Sequence, residues 1–124
     1  MTKILLFVST LVLNICSTSN AQNDVACLRN VNTILHKEIS RELKTEDDSW
    51  KGKAKLFVKF YVNKTGSADS IVFAKSNLST LGVDENKVIE SLMGYEYQCI
   101  RSVYYSSPHK PDFVVIKFNP NLVD

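Results

Sequence analysis

The chain has 124 residues, of which 44% are hydrophobic and 23% are charged, and its formal net charge is +2. That length is enough for one small domain with a modest core and is too short for two. So small an excess of positive charge gives no electrostatic case for a nucleic-acid partner.

The first 21 residues have the pattern of a secretory signal peptide. Lys3 supplies a positive start, residues 4–13 form an apolar run, and a polar stretch ends at Ala21, where cleavage is expected. We therefore expect residues 1–21 to be removed and residues 22–124 to form a single α+β domain, periplasmic or secreted, with no stable membrane anchor. Loss of Lys3 lowers the formal net charge from +2 to +1, because every acidic residue lies downstream.

Two other interpretations of this leader stay open. The apolar run could anchor the chain in a membrane, although it is shorter than the roughly 20 residues that a spanning helix needs. It could also be a lipoprotein signal ending at Cys16, although Ile15 is bulky where such signals usually carry a small residue.

Cleavage would leave two cysteines, Cys27 and Cys99. An even number of cysteines in an exported chain predicts a disulfide. Closing so long a loop would stabilise the fold by about 4 kcal/mol in the chain-entropy account. Two buried free thiols are the alternative, because cysteine is also a common small core residue. A nucleophilic thiol is not expected, since nothing near either cysteine in the sequence would activate it.

Residues 24–44 are predicted to form an amphipathic helix that begins at an N-cap, Asn23 or Asp24. Apolar residues recur at every third or fourth position, and Cys27 borders their stripe, so its side chain can face the body of the domain. Trp50, after a polar linker, is expected to cover the open end of the core. The stripe consists of Val25, Leu28, Val31, Leu35, Ile39 and Leu43.

The most regular pattern in the chain lies in residues 53–73. Alternate residues are apolar, which predicts a strand with one buried face, and Phe57 and Tyr61 fall on the opposite face. A polar turn ending at Gly66 leads into a second strand, so the two strands form a hairpin. The inward positions of the second strand change phase, which predicts a bulge near residues 69–70. The buried set of the first strand is Ala54, Leu56, Val58, Phe60 and Val62.

The second half of the chain predicts one more helix and a final strand. Residues 83–85 have the apolar, capping and acidic side chains of a helix start, and Gly94 is expected to end that helix in a left-handed cap. Residues 95–105 fit a strand by alternation and also fit a continued helix. Residues 113–118 are predicted to be the last strand. Its inward residues are Val114, Ile116 and Phe118, and its outward residues are Phe113, Val115 and Lys117.

No motif in the chain indicates catalysis, a metal or a cofactor. Such sites need several convergent side chains, whereas the two histidines, His36 and His109, lie far apart and are interpreted as surface or boundary residues. The carboxylates Glu90 and Glu96 are interpreted as the hydrated side of the second helix. We therefore expect a protein that is not an enzyme and that uses no cofactor and no metal.

Residues 51–68 resemble the hairpin of the TonB C-terminal domain family, in which a glycine, an alternating strand with a Phe-x-Val step and a polar turn ending in glycine follow one another. Residues 81–92 resemble the second helix of that family, and residues 114–118 its last strand. The tryptophan and proline that compact members carry after the second helix are missing here. The resemblance implies an N-terminal helix, a hairpin, a second helix and a C-terminal strand that completes a small antiparallel sheet.

The resemblance also implies a module of the bacterial envelope. Members of the family bind a peptide by adding it as a strand at a sheet edge, which gives backbone hydrogen bonds and side-chain pockets at alternate positions. The expected partner is a peptide or protein, with a segment of an outer-membrane receptor as one candidate.

Three functional hypotheses follow from these patterns. The leading one is a non-catalytic binding module whose last strand is the open edge, with Phe113, Val115 and Lys117 on its outer side. The first alternative is a structural, adaptor or inhibitor subunit that docks through Phe57 and Tyr61 on the exposed strand face. The second alternative is a small hydrolase. A helix, or the segment of residues 95–105, packed over these positions would instead make them part of the core.

Overall fold

The computed structural model describes residues 20–44, 48–105 and 111–123, and of residues 20–23 only the backbone. The predicted signal peptide up to residue 19 and His109 lie outside the described residues. Within them the fold is α+β, as predicted, with three α-helices and one three-stranded antiparallel sheet. The helices are α1 (Asn20–Leu43), α2 (Glu85–Leu92) and α3 (Gln98–Tyr104), and the strands are β1 (Leu56–Val62), β2 (Ala68–Ser76) and β3 (Val114–Lys117).

Strand β1 is the centre of the sheet, whose strand order is β2-β1-β3. It pairs antiparallel with β2 on one side and with β3 on the other. Its predicted inward residues are buried, and Leu56, Val58 and Phe60 are fully inaccessible to solvent. Because β1 has a neighbour on each side, β2 and β3 are the two edges of the described sheet.

The helices cover one face of this sheet. The apolar stripe of α1 and the inward residues of the sheet belong to one hydrophobic cluster, which Leu92 of α2 and Ile100 of α3 complete. Trp50 is buried as predicted and stacks between His36 and Phe118, with ring centroids 5.2 and 5.8 Å apart. The fold therefore has two layers, with the helices on one side only. No described helix is long and apolar enough to cross a membrane.

Strand β2 contains the predicted bulge and a second one. Asp69 has no partner on β1, which confirms the expected irregularity near residues 69–70. The second bulge is at Ala74, because Phe73 lies opposite Val58 whereas Lys75 lies opposite Phe57. The extra residue changes the phase of the strand, so Phe73 packs against the core while Lys75 turns to the other face.

Helix α1 begins about one turn earlier than predicted. It starts at Asn20, so neither Asn23 nor Asp24 is its N-cap. Asp24 instead lies inside the helix and accepts a hydrogen bond from the Tyr104 hydroxyl at 2.6 Å. Val25, which was predicted to belong to the apolar stripe, is 47% exposed. Positions three and four apart share a helix face, and Val25 lies beside the buried face that Cys27 begins.

The segment after α2 also differs from the prediction. Asp84 caps the start of α2 as expected, but α2 ends at Leu92, and Gly94 does not adopt the predicted left-handed conformation. The chain leaves α2 through two tight turns instead, closed by Gly94 N–H to Ser91 O and Tyr95 N–H to Leu92 O, both at 3.2 Å.

Residues 95–105 form neither the predicted strand nor a continuation of α2. Glu96 makes an isolated β-bridge with Ser67, and the separate helix α3 begins at residue 98 and holds the end of the hairpin. Tyr97 N–H donates to Gly66 O at 2.7 Å, and Gln98 Nε2 donates to Thr65 O at 2.6 Å. One turn later, Arg101 Nη1 donates to Val62 O at 3.3 Å. These long-range bonds fix the hairpin turn against the start of α3.

The predicted disulfide between Cys27 and Cys99 is present and ties α1 to α3. The two cysteines are 72 residues apart in the chain, and their Cα atoms are 5.4 Å apart. Cys27 is buried beside the core. The bond therefore joins the longest helix to the segment that holds the hairpin.

Replacing both cysteines by alanine is expected to lower the free energy of unfolding by about 4 kcal/mol, since the unfolded chain regains the entropy of a long open loop. Denaturant unfolding of the Cys27→Ala/Cys99→Ala variant, compared with the oxidised wild type, measures this. A change below about 1 kcal/mol would contradict the expected stabilisation by this bond.

The hairpin turn requires glycine at position 66. Gly66 has φ +89°, and an added Cβ would meet the Gln98 side chain. Gly82 has φ +87° with nothing near its missing Cβ, so it is a matched control for backbone strain alone. We expect Gly82→Ala to cost about 1–2 kcal/mol of unfolding free energy and Gly66→Ala to cost more in the same assay. Equal losses would mean that the Gln98 side chain moves aside at no measurable cost.

Candidate functional site

The side of the sheet away from the helices is a partly exposed surface with an unusual composition, which we call the outer face. The β1 register with β2 and β3 arranges its residues in cross-strand rows. Three are lysines, three are aromatic, two are valines, one is serine, and none is acidic. The rows are Lys75, Phe57 and Lys117; then Val72, Lys59 and Val115; then Ser70, Tyr61 and Phe113.

Lysines and aromatic rings contact each other across the outer face. The Nζ atoms of Lys59 and Lys117 lie 4.7 Å from the Phe113 ring centroid and 5.8 Å from that of Phe57, respectively. The rings of Tyr61 and Phe113 are 5.4 Å apart and tilted by 47°. Such cation–π and ring contacts order side chains that remain accessible to solvent. The outer face is therefore organised without being part of the core.

All five predicted partner-binding residues lie on this one surface. The sequence hypotheses assigned Phe113, Val115 and Lys117 to one docking mode and Phe57 and Tyr61 to another. The structure brings the two sets together, because β3 pairs directly with β1. The two docking modes therefore use one continuous surface.

No described helix covers the outer face. Val115 is 47% exposed and Val72 43% exposed, whereas Val114 and Ile116, their inward neighbours in the sheet, are buried. Helix α1, which could have packed there, buries its stripe on the inner side of the sheet. The interpretation of these residues as core is therefore wrong for the described part of the chain.

The edge of β3 has backbone groups that point away from the sheet. Phe118 N–H donates to Leu56 O at 2.8 Å, and hydrogen-bonded residues alternate along an antiparallel ladder. Val114 and Ile116 therefore bond to β1, while the N–H and C=O groups of Val115 and Lys117 point outward. No described strand lies beyond β3, so these groups have no strand partner among the described residues.

A groove of about 630 Å³ lies at the C-terminal end of β3 and extends across the end of the sheet to Lys75 on β2. Residues 115–118 line it, and Pro120 and Leu122 continue its wall. Leu28 and Asn32 of α1 border it on the inner side. Asn32 is buried and holds this wall in place, because its Oδ1 accepts a hydrogen bond from Asn119 N–H at 2.6 Å.

The sequence pattern did not indicate that Glu38 is a buried carboxylate. Glu38 on α1 is 3% exposed, and its Oε2 accepts a hydrogen bond from the Tyr95 hydroxyl at 2.6 Å. Its Oε1 lies 3.1 Å from Arg41 Nη1, an ion pair without the alignment of a hydrogen bond. The bond to Glu38 raises the pKa of Tyr95 above its usual value, and burial adds to the shift. Through Tyr95, Glu38 ties α1 to the segment after α2. Its two contacts, with Tyr95 and Arg41, are both within the protein.

The candidate catalytic groups do not converge in the structure. Glu90 and Glu96 are both exposed, and Glu96 Oε2 accepts a hydrogen bond from Gln98 Nε2 at 3.3 Å. Cys27 and Cys99 are joined to each other. Within the described residues, no group of three or more His, Cys, Asp or Glu side chains is placed to hold a metal ion.

Comparison of the chain with protein-family models, curated proteins and solved structures found no match. The resemblance to the TonB C-terminal domain family therefore remains a prediction from the residues.

A matched pair of phenylalanines on β1 tests which face is open. Phe60 is fully buried, so Phe60→Ala should lower the free energy of unfolding by about 3–5 kcal/mol. Phe57 lies on the outer face, and Phe57→Ala should cost only about 1 kcal/mol, the value of cross-strand contacts. Thermal and urea unfolding of both variants measure the difference. Comparable losses would place Phe57 in a core and remove the outer face as a free surface.

Proposed function

We propose that this chain is a non-catalytic protein-binding module of the bacterial envelope, which takes a peptide or a segment of a protein partner as an added strand at the edge of β3. The observation that carries the proposal is the outward direction of the Val115 and Lys117 backbone groups beside a groove at the C-terminal end of β3. An unpaired edge of this kind is a template for another strand, and proteins that do not use such an edge usually protect it.

Apolar and aromatic side chains around the edge support the proposal. A strand added at β3 would place alternate side chains over the outer face, next to Val115 and Lys117. Val115 is exposed, and the aromatic rings of Phe57, Tyr61 and Phe113 lie within one or two strands of it. Aromatic side chains held in place by neighbours are the usual anchors of protein interfaces.

An exported location fits the disulfide and is part of the proposal. Disulfides persist in oxidising compartments and are rare in the reducing cytosol. The bond between Cys27 and Cys99 joins two helices of the fold, and the leader sequence has the pattern of a signal peptide. We place the domain in the periplasm or outside the cell, with a segment of an outer-membrane receptor as the candidate partner.

A second candidate function uses the same surface. The aromatic and lysine side chains of the outer face would suit an adaptor or inhibitor subunit that docks face to face with a folded partner. Such docking contacts the side chains of the outer face and leaves the outward backbone groups of β3 unpaired. The two modes can therefore be separated at Val115.

The test adds plug-segment peptides of outer-membrane receptors to the labelled protein and follows amide chemical shifts. Strand addition predicts shifts at Val115 and Lys117 that Val115→Pro abolishes, because proline removes the outward N–H without removing a bond to β1. The control variant Val115→Ala should still bind. Binding that Val115→Pro leaves intact would favour face-to-face docking, and absence of any shift would contradict the proposal.

A further inference from the structure

The groove beside β3 is lined by lysines and contains no carboxylate. Lys51, Lys55, Lys75 and Lys117 contribute to its lining, and no Asp or Glu does. Lys51 has a partner outside the groove, Asp48, whose Oδ2 lies 3.6 Å from its Nζ. Within the described residues, no carboxylate lies at ion-pair distance from the other three. The local charge is therefore positive although the chain as a whole is close to neutral.

The fold places these charges close together. Lys75 and Lys117 are opposite Phe57 on its two sides, so their backbones are about 10 Å apart, the width of two strand spacings. Lys59 lies one row further along the same face. This separation is close to one Debye length at physiological salt, so the charges are only partly screened from one another. A surface of one sign attracts ligands of the opposite sign and repels those of the same sign.

We infer that the segment which pairs with β3 is acidic, with Asp or Glu at the alternate positions that face the outer face. This inference rests on the proposed strand addition. In a strand added beyond β3, the outward side chains lie directly beside Val115 and Lys117, and the diagonal neighbours remain within reach of long side chains. Carboxylates at these positions would lie nearest to Lys117 and then to Lys59. Lys55 and Lys75 lie further along the groove.

The edge of β3 favours an acidic peptide over other polyanions such as nucleic acids. The outward N–H and C=O groups of Val115 and Lys117 alternate as donors and acceptors, which matches a second peptide backbone. A nucleic acid has phosphate acceptors but no amide donors at this spacing, so it would use the lysines and leave the outward carbonyls unpaired. The combination of an open strand edge and lysines that have no carboxylate partner among the described residues thus specifies an acidic peptide.

The experiment compares three synthetic peptides of about ten residues, a length that covers a typical strand. They share Val and Thr at one set of alternate positions and carry Glu, Gln or Lys at the other set. We expect the Glu peptide to bind tightest and to shift the Val115 and Lys117 amides. Lys117→Gln and Lys59→Gln should each weaken the Glu peptide about two- to fivefold, the value of exposed charge pairs, and leave the Gln peptide unchanged.

The control variant is Lys87→Gln, which removes an exposed lysine on α2. It should not change the affinity for any of the three peptides. If the Gln peptide binds as tightly as the Glu peptide with the same shifts at β3, the acidic partner is excluded and strand addition stands. If none of the three peptides shifts Val115 or Lys117, strand addition to these probes fails, and the inference fails with it. A competition experiment gives a further outcome. If a single-stranded oligonucleotide displaces the bound Glu peptide at a lower concentration than unlabelled Glu peptide does, the inference is also wrong.

Discussion

Burial of one side of β1 is the constraint on which the rest of the structure depends. Leu56, Val58 and Phe60 are fully buried in the centre of the sheet, and each such side chain contributes about 1.5–3 kcal/mol when removed from water. A shift of one residue in the pairing of β1 would turn all of them to the solvent. The inner face therefore fixes the register of both neighbouring strands. It also leaves Phe57, Lys59 and Tyr61 on the opposite side, where no described element covers them.

Long-range ties then hold the elements around this sheet. The disulfide joins α1 to α3, and α3 in turn binds the hairpin turn through Tyr97 and Gln98. At the other end, Asn77 connects the end of β2 to the start of β1, because its side chain bonds to the backbone of Lys53 and Lys55 at 2.8 Å. These ties restrain both ends of the hairpin, while the outer edges of β2 and β3 have no described strand beside them.

The features that depend on local pattern could be predicted from the sequence, and those that depend on distant contacts could not. The alternation of β1, the glycine turn and the Asp84 cap are properties of neighbouring residues, and all three are present. Helix α3 has seven residues, too few to be stable alone, and contacts with a turn 30 residues away in the chain decide its conformation. The outer face was predicted only in part, because Lys75 joins it through the bulge at Ala74, which has no local signal.

Amide hydrogen exchange along β3 tests the central claim most directly, since it reports whether each backbone N–H is already bonded. An open edge predicts slow exchange at Val114 and Ile116, which bond to β1, and fast exchange at Val115 and Lys117, in the free protein at low concentration. Strong protection of all four amides under these conditions would show that another segment or a second copy already pairs with β3. The edge would then be unavailable to a partner, and the proposed mode of binding would be wrong.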